Sequence, residues 1–248
     1  MSGLTRTAET DRRLTMPKIN YIIPASSYCH GGSRALTSVK YIVLHYTAVK
    51  GDTAKNEATY FSRNTSRYAG AHYFVDQAGE IAQSIGMNLT AWSVGGSLYY
   101  GTDPAYYGKC TNFNSVSIEM CDQVDKDASA KQIEAVRWLI NRIQSCCPNA
   151  KTIIRHYDVN GKPCPARYLD ARKWSELKKA VTASSAVPYK VKIVKAVNVR
   201  KRPTGASKKV MTLYPEGVYT IVKRSKNKKW GKLKSGAGWI KLSYTKKV

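Results

Sequence analysis

The stretch VKYIVLHY, residues Val39–Tyr46, decides the fold of the first part of this chain. Its β-branched and aromatic side chains predict a mostly buried strand. His45 stands at the end of this strand, where a sheet presents its side chains to a ligand-binding rim. The strand therefore supplies both a core element and a candidate functional residue.

The segments around this strand alternate between strand and helix patterns, which predicts an α/β fold with a mixed central sheet and flanking helices. Residues between Met87 and Asn114 follow no regular pattern, and a loop this long in a compact domain is usually functional. The other predicted elements are a helix at Thr53–Asn64, a hairpin formed by Ala71–Asp76 and Glu80–Ile85, a strand at Ser115–Cys121, a helix at Ala130–Cys147, a strand at Lys151–His156 and a helix at Ala171–Thr182.

The character of the chain changes after residue 182. Residues 182–188 have the composition of a linker. Six short predicted strands follow, separated by turn residues, and indicate a small all-β barrel at 189–248. We therefore predict an extension or loop at 1–37, a larger domain at 38–181, the linker and the barrel. The strands are Tyr189–Val194, Ala196–Arg200, Val210–Tyr214, Val218–Val222, Trp230–Leu233 and Gly238–Leu242.

The charge is large and uneven. The 248 residues contain 41 Lys and Arg against 16 Asp and Glu, a net charge of +25, and Glu216 is the only acidic residue after position 187. So basic a segment favours a polyanionic partner such as nucleic acid, an anionic membrane surface or a cell-wall polymer. A merely solvated lysine-rich surface is the alternative.

Targeting and membrane segments are not expected. No run of about 18 apolar residues occurs, so we predict no transmembrane segment. The first sixteen residues lack an apolar core of the kind found in signal peptides, and Met16 is an alternative start that would leave a polar, disordered extension before it. Synthesis in the cytoplasm without a signal peptide is the expectation.

A metal site can be assembled from two of the four histidines and one of the six cysteines. His45 and His156 each end a predicted strand, and Cys164 follows eight residues after His156. Two imidazoles and a thiolate fill three positions of a tetrahedral zinc site and leave the fourth for water. Strand-end histidines that merely lie at the surface are the alternative. The other cysteines favour free thiols over a disulfide scaffold.

Five segments of the chain resemble one known family. They are YIVLHYT (41–47), AHYFVD (71–76), AWSVGG (91–96), SIEMC (117–121) and RHYDVNGKPCP (155–165). In this order, across about residues 38–180, they resemble the zinc-dependent N-acetylmuramoyl-L-alanine amidases of the amidase-2 family, which includes endolysins, autolysins and the peptidoglycan-recognition fold. The resemblance implies that His45, His156 and Cys164 bind Zn²⁺ at the base of a surface groove.

The same resemblance implies roles for further residues. Glu119 corresponds to the family's general base, and Lys162 to a lysine that stabilises the developing oxyanion. A strand glutamate that points to solvent is the alternative for Glu119. Relatives that use a tyrosine in the hairpin segment differ from this chain, which has Ala71 there. Predicted substrate contacts are His72, Trp92, Tyr46 and Tyr73. For His72 we expect a structural or groove-lining role, and a fourth metal ligand is the alternative.

The last sixty residues resemble a bacterial SH3-like (SH3b) domain in Ala196–Arg200, Trp230–Leu233 and Gly238-Trp239-Ile240. Such domains attach lytic enzymes to peptidoglycan and to anionic polymers such as teichoic acids, and no specific nucleic-acid partner is implied. The expected function is hydrolysis of the amide bond between N-acetylmuramic acid and L-alanine at the bacterial cell wall by a phage or prophage endolysin, released through a holin pore or otherwise exported. A non-catalytic peptidoglycan-binding protein of the same fold is the alternative.

Overall fold

A computed structural model of the chain describes residues 17–183 and 189–248. The expectations for the first sixteen residues and for most of the linker lie outside this range. The chain separates into two compact units, one containing residues 17–183 and the other residues 189–248. No helix in the described part of the chain has the length and apolar character that crossing a membrane requires.

The first unit is the predicted α/β fold. Its strands are β1 (Tyr21–Ile22), β2 (His30–Ser33), β3 (Tyr41–Tyr46), β4 (Tyr73–Val75), β5 (Ile81–Gln83), β6 (Leu89–Ala91), β7 (Ser115–Met120) and β8 (Thr152–Arg155), and its helices are α1 (Ala54–Ser62), α2 (Ala130–Cys146), α3 (Tyr157–Asn160) and α4 (Ala171–Thr182). The predicted strands at 39–46, 115–121 and 151–156 are confirmed as β3, β7 and β8.

The central sheet is mixed and has the strand order β1-β5-β4-β7-β3-β8. Strand β3 pairs in parallel with both β7 and β8, and β7 pairs in parallel with β4. The hairpin partner β5 runs antiparallel to β4. Because parallel strands end at the same edge, β3, β7 and β8 deliver the residues at their carboxyl ends to one place.

Two helices cover the sheet because each has one apolar face. The α2 side chains Leu139 and Ile143 are fully buried in a cluster with Leu44 and Ile118 of the sheet. Helix α1 contributes Ala54 and Ala58 to a second cluster that contains Phe74. The side chain of Thr53 caps α1 by accepting a hydrogen bond from the Asn56 amide, and Ser129 caps α2 in the same way.

Two regions differ from the prediction. Residues 17–37, assigned to an extension or loop, form β1 and β2 and bury Cys29 completely, so they belong to the first compact unit. The region 87–114 is not wholly irregular, because β6 pairs antiparallel with β2. Both differences have the same cause. Strands of two to four residues are stabilised by pairing with segments that are distant in the sequence, and the glycine-rich β2 has no alternating pattern that would predict it.

The second unit is all-β, as predicted, and fits an SH3-like fold. Its strands pair antiparallel in the order β11-β10-β14-β13-β12-β9-β15, and Val191, Val199, Ile221 and Ile240 are among its buried core residues. The pattern did not predict β15, a lysine-rich strand that pairs with β9. The strands are β9 (Tyr189–Ile193), β10 (Val197–Arg200), β11 (Lys209–Leu213), β12 (Val218–Arg224), β13 (Trp230–Leu233), β14 (Trp239–Lys241) and β15 (Thr245–Lys247).

Candidate functional site

Strand register brings two histidines together. Leu44 of β3 is the register partner of Arg155 of β8, so that the next residues, His45 and His156, emerge side by side at the sheet edge. The His156 amide donates a hydrogen bond to the Leu44 carbonyl, 3.2 Å away. The centroids of the two imidazole rings are 4.7 Å apart. Both side chains are almost completely buried.

Cys164 reaches the same point from the loop after α3. Its Sγ lies 3.7 Å from His45 Nδ1. Within residues 17–183 and 189–248, His45, His156 and Cys164 form the one group of three or more metal-ligating residue types with ligand atoms all within 4.8 Å of one another. All six cysteines are free thiols, and Cys164 is the one beside the histidines. The sequence pattern and the three-dimensional arrangement thus select the same three residues.

The chemistry of these residues fits a zinc ion. His45 Nε2 and both ring nitrogens of His156 are buried and have no hydrogen-bond partner. Leaving buried polar atoms unsatisfied is costly, and a metal ion would satisfy one nitrogen of each imidazole. Burial holds the pKa of His45 well below its usual range and lowers the pKa of His156 to about 4, so both imidazoles are neutral, as metal ligands must be.

The distances agree with this assignment. Zn–N bonds of about 2.0 Å and Zn–S bonds of about 2.3 Å at tetrahedral angles place a nitrogen and a sulfur about 3.5 Å apart. The observed separation of 3.7 Å between Sγ and Nδ1 is close to that value. Burial also raises the pKa of the Cys164 thiol, so the sulfur keeps its proton until a cation replaces it.

Glu119 lies directly beside this cluster. It is the register partner of His45 on β7, and its Oε1 is 3.9 Å from His45 Nδ1. Its Oε2 is buried without a hydrogen-bond partner. Burial raises the pKa of Glu119 to about 7, against the opposing effect of Lys162 and Arg67. A carboxyl group with such a pKa can both accept and return a proton near neutral pH.

A cavity of about 610 Å³ opens above Glu119 and Cys164. Lys162 is exposed at its wall and acts electrostatically on Glu119, His45 and His156. The wall is aromatic and charged, and is formed by Tyr46, Thr47, Ala48, Val49, Glu57, Tyr60, Phe61, Arg67, Phe74, Tyr99, Glu119, Lys162, Pro163 and Cys164.

Three of the four predicted substrate contacts do not line the cavity. His72 and Tyr73 are fully buried, and no substrate can touch a side chain without exposed surface, so both assignments are corrected. Trp92 is half-buried and lies outside the cavity wall, against Gly31, where an added Cβ would come within 2.6 Å of its ring. Tyr46 is the predicted contact that lies in the wall.

His72 has a structural role and does not line the cavity. Its Nδ1 lies 3.0 Å from Ser117 Oγ, and its Nε2 lies 2.9 Å from a guanidinium nitrogen of Arg34. Burial and the Arg34 charge lower the pKa of His72 to about 3. The same guanidinium donates to the carbonyl oxygens of Asn112 and Phe113. Ser117 and Glu119 are two residues apart on the same face of β7, so this network supports the strand that holds the candidate base.

Sequence reasoning missed several residues of the cavity wall, namely Glu57, Tyr60 and Arg67. For Glu57 a signal existed. It occupies the same helix face as Ala54, Ala58 and Phe61, which is the inward face of α1. A carboxyl group among apolar positions of a helix indicates a functional or paired side chain.

Gly161, which begins the loop of Lys162 and Cys164, yields a test of this geometry. It adopts φ +81°, and an added Cβ would lie 2.1 Å from Thr102 Oγ1. We expect Gly161→Ala to lower the free energy of unfolding by about 2–5 kcal/mol, since the left-handed backbone costs about 1–2 kcal/mol and overpacking adds about 1–3 kcal/mol. Denaturant unfolding measures the change.

Gly101→Ala is the matched control for this substitution. Gly101 also has a left-handed φ, +72°, but nothing lies within 4 Å of its added Cβ. This variant should therefore show the backbone cost of about 1–2 kcal/mol alone. Equal losses in the two variants would contradict the tight contact between Gly161 and Thr102.

Comparisons with known proteins agree with this geometry. The family model described as N-acetylmuramoyl-L-alanine amidase matches residues 35–167. The N-acetylmuramoyl-L-alanine amidase BlyA of Bacillus subtilis (strain 168) is 33% identical over 177 residues, which cover 66% of this chain and 46% of that protein. The amidase CwlA of the same strain is 28% identical over 186 residues, or 73% of this chain and 64% of that protein. The chain spans about half the length of the first curated relatives it matches.

Two solved structures are similar to this chain over about two thirds of its length. The catalytic domain of XlyA is similar with a TM-score of 0.51 and 27% identity, over 66% of this chain and 97% of that one. PlyL has a TM-score of 0.54 at 22% identity, over 68% of this chain and 99% of that one, and supports the fold alone.

Proposed function

Because this chain belongs to the N-acetylmuramoyl-L-alanine amidase family, we propose that it hydrolyses the amide bond between N-acetylmuramic acid and the L-alanine of peptidoglycan stem peptides. The supporting observation is the meeting of two neutral imidazoles, a thiol and a glutamate carboxyl group beside one cavity, with buried ring nitrogens of both histidines and Glu119 Oε2 left without hydrogen-bond partners. Burying such polar groups without hydrogen-bond partners lowers the free energy of unfolding. Together the four side chains form a hydrolytic centre.

His45, His156 and Cys164 would hold a zinc ion at this centre. When bound, zinc supplies a Lewis acid that polarises the amide carbonyl and makes water a better nucleophile. Three protein ligands leave one position for water or substrate, which distinguishes a catalytic from a structural site.

The protein's own side chains perform the remaining steps. Glu119 Oε2, buried and without a partner, accepts the proton of the attacking water and returns it to the leaving amine of L-alanine. The ammonium group of Lys162, at the cavity wall, stabilises the negative charge that develops on the carbonyl oxygen. Tyr46 and the other aromatic side chains of the wall orient the peptide and exclude water from around it.

Mass spectrometry of digested bacterial sacculi tests this function. The full-length protein should release stem peptides with new L-alanine amino ends while the glycan strands stay intact, and a zinc chelator should stop the release. Binding to sacculi without any cleavage would instead identify a non-catalytic peptidoglycan-binding protein. Cleavage within the glycan strands would also contradict the proposal.

In this proposal the second unit attaches the protein to the bacterial cell wall. It carries 18 of the 41 basic residues. Attraction of its lysines to teichoic acids or to peptidoglycan carboxylates would hold the enzyme at the cell wall and raise its local concentration there. We propose that the protein acts at that location, as a phage or prophage endolysin.

Wall binding should therefore depend on salt. Raising NaCl from about 0.05 M to about 0.5 M is expected to lower the affinity for sacculi on the order of tenfold, because exposed charges are screened. Replacing the exposed lysines Lys226, Lys229 and Lys232 with glutamine should cause a similar loss at low salt. Co-sedimentation with sacculi measures both effects.

The control removes the same charge from the first unit, at the exposed lysines Lys109, Lys131 and Lys151. These substitutions should change binding far less than those in the second unit. If the two triple variants lowered binding equally, or if binding did not depend on salt, the lysine-rich surface of the second unit would have no role in binding sacculi.

A further inference from the structure

Asn160 is the middle residue of the segment that joins His156 to Cys164. It ends helix α3, and only 3% of its surface is exposed. Its amide donates a hydrogen bond to the His156 carbonyl, 3.3 Å away. A polar side chain buried this deeply needs hydrogen-bond partners, and both polar atoms of the Asn160 carboxamide have one. The proposed catalytic steps do not use this residue.

The carboxamide oxygen of Asn160 closes the turn with which the loop of Cys164 begins. Asn160 Oδ1 accepts a hydrogen bond of 3.1 Å from the Lys162 amide. Asparagine favours such turns because its side-chain oxygen can bind the backbone amide two residues further along the chain. Between the two residues, Gly161 adopts the left-handed backbone conformation, with φ +81°. The turn therefore sets the direction in which the chain leaves α3 toward the cavity.

Two further hydrogen bonds extend this constraint to Cys164. The Cys164 amide donates to the Lys162 carbonyl at 2.6 Å, and the Cys164 carbonyl accepts from the Tyr157 amide at 2.9 Å. Together with the bond to Asn160 Oδ1, they close the loop back onto α3. The other two bonds join backbone atoms, so Asn160 supplies the side chain on which the position of the loop depends.

The carboxamide is also held from its other side. Asn160 Nδ2 donates to the Gly95 carbonyl at 3.4 Å, and the Asn160 carbonyl accepts from the Tyr99 amide at 2.8 Å. Both partners belong to a segment that is distant from α3 in the sequence. Because the carboxamide is attached on both sides, its oxygen is fixed before it binds the Lys162 amide.

We propose that Asn160 is a positioning residue that holds Cys164 beside the two histidines and thereby raises the affinity of the chain for zinc. Asn160 does not line the cavity, so it acts through the loop. Cys164 Sγ lies 3.7 Å from His45 Nδ1. A loop that is fixed at this separation loses less conformational entropy on binding an ion than a mobile loop would. The inference rests on the proposed function, which assigns these zinc ligands.

The zinc affinity of the full-length protein, measured by competition with a chelating indicator dye, tests the inference. In Asn160→Ala the dissociation constant for zinc should rise about tenfold, the factor that loss of one hydrogen bond produces. Asn160→Asp should restore most of the affinity, because its carboxylate also accepts a hydrogen bond from the Lys162 amide. If Asn160→Ala does not fold, Asn160→Gln makes the same comparison, since its longer side chain displaces the oxygen from the turn.

Asn20→Ala is the matched control. Asn20 Oδ1 also accepts a hydrogen bond from a backbone amide, that of Ile81 at 3.0 Å, but Asn20 lies next to β1 at the edge of the sheet and away from the metal ligands. This variant should bind zinc as tightly as the unmodified protein.

The Cys164→Ser background separates positioning from a general structural effect. There, Asn160→Ala should weaken zinc binding no further, because the ligand that Asn160 positions is gone. An equal loss in both backgrounds would overturn the inference, as would parental affinity in a folded Asn160→Ala or Asn160→Gln variant. If the unmodified protein binds no zinc, the ligand assignment of the proposed function has itself failed.

Discussion

In the Cys164→Ser variant, release of L-alanine amino ends from sacculi is expected to fall more than about 100-fold. Loss of a supporting hydrogen bond to a metal ligand already costs about 10–100-fold, and loss of the ligand itself should cost more. A serine hydroxyl keeps its proton, whereas a thiol releases its proton to solvent when it binds zinc, so the two imidazoles would be the strong ligands that remain of the three. Elemental analysis should show a matching loss of zinc, and thermal denaturation a lower Tm of the zinc-loaded protein.

Cys146→Ser controls for the loss of a sulfur atom. Cys146 is a half-buried free thiol at the end of α2, away from the histidines. This variant should retain zinc and activity. If Cys164→Ser digested sacculi at the parental rate, the assignment of the zinc ligands would be wrong.

The Glu119→Gln variant is expected to retain zinc and wall binding while kcat falls by about 10²–10⁴, the usual contribution of general acid–base catalysis. Glutamine has the size of glutamate but cannot take a proton from water. The substitution also leaves the β3–β7 register unchanged, because that pairing uses backbone atoms. Steady-state hydrolysis of a soluble muramoyl peptide separates kcat from KM.

Glu134→Gln is the control for the loss of a carboxylate from the first unit, since Glu134 is exposed on α2 and lies outside the cavity wall. Unchanged kcat in Glu119→Gln would move the proton-transfer role to another group. A parallel loss of zinc would instead make Glu119 a residue that positions His45, whose Nδ1 lies 3.9 Å from its carboxylate.

Much of the site could be predicted because it lies on elements with strong local patterns. Strands β3, β7 and β8 have apolar, β-branched sequences, and their carboxyl ends carry His45 and His156 or lie close to them. Helix α4 was predicted with the bounds it has, Ala171–Thr182.

The remaining features depend on contacts between distant segments. The pairing of β2 with β6 joins residues about sixty positions apart, and neither strand has an alternating pattern that would reveal it. Burial of His72 and Tyr73 was missed because polar residues next to functional motifs resemble substrate contacts. Only the fold shows that Arg34 and Ser117 bind His72 from within.

The parallel pairing of β3 with β7 and β8 has a consequence for how a metal ion would come and go. His45 lies on β3, which is paired on both sides by β7 and β8, whereas Cys164 lies on a loop after the four-residue helix α3. Loops open at much lower free energy than central strands. Amide hydrogen exchange should therefore be slowest in β3 and faster at 161–165. Transient opening of that loop would let a metal ion dissociate and bind again without global unfolding. The rate of demetallation by a chelator would then report on loop opening alone.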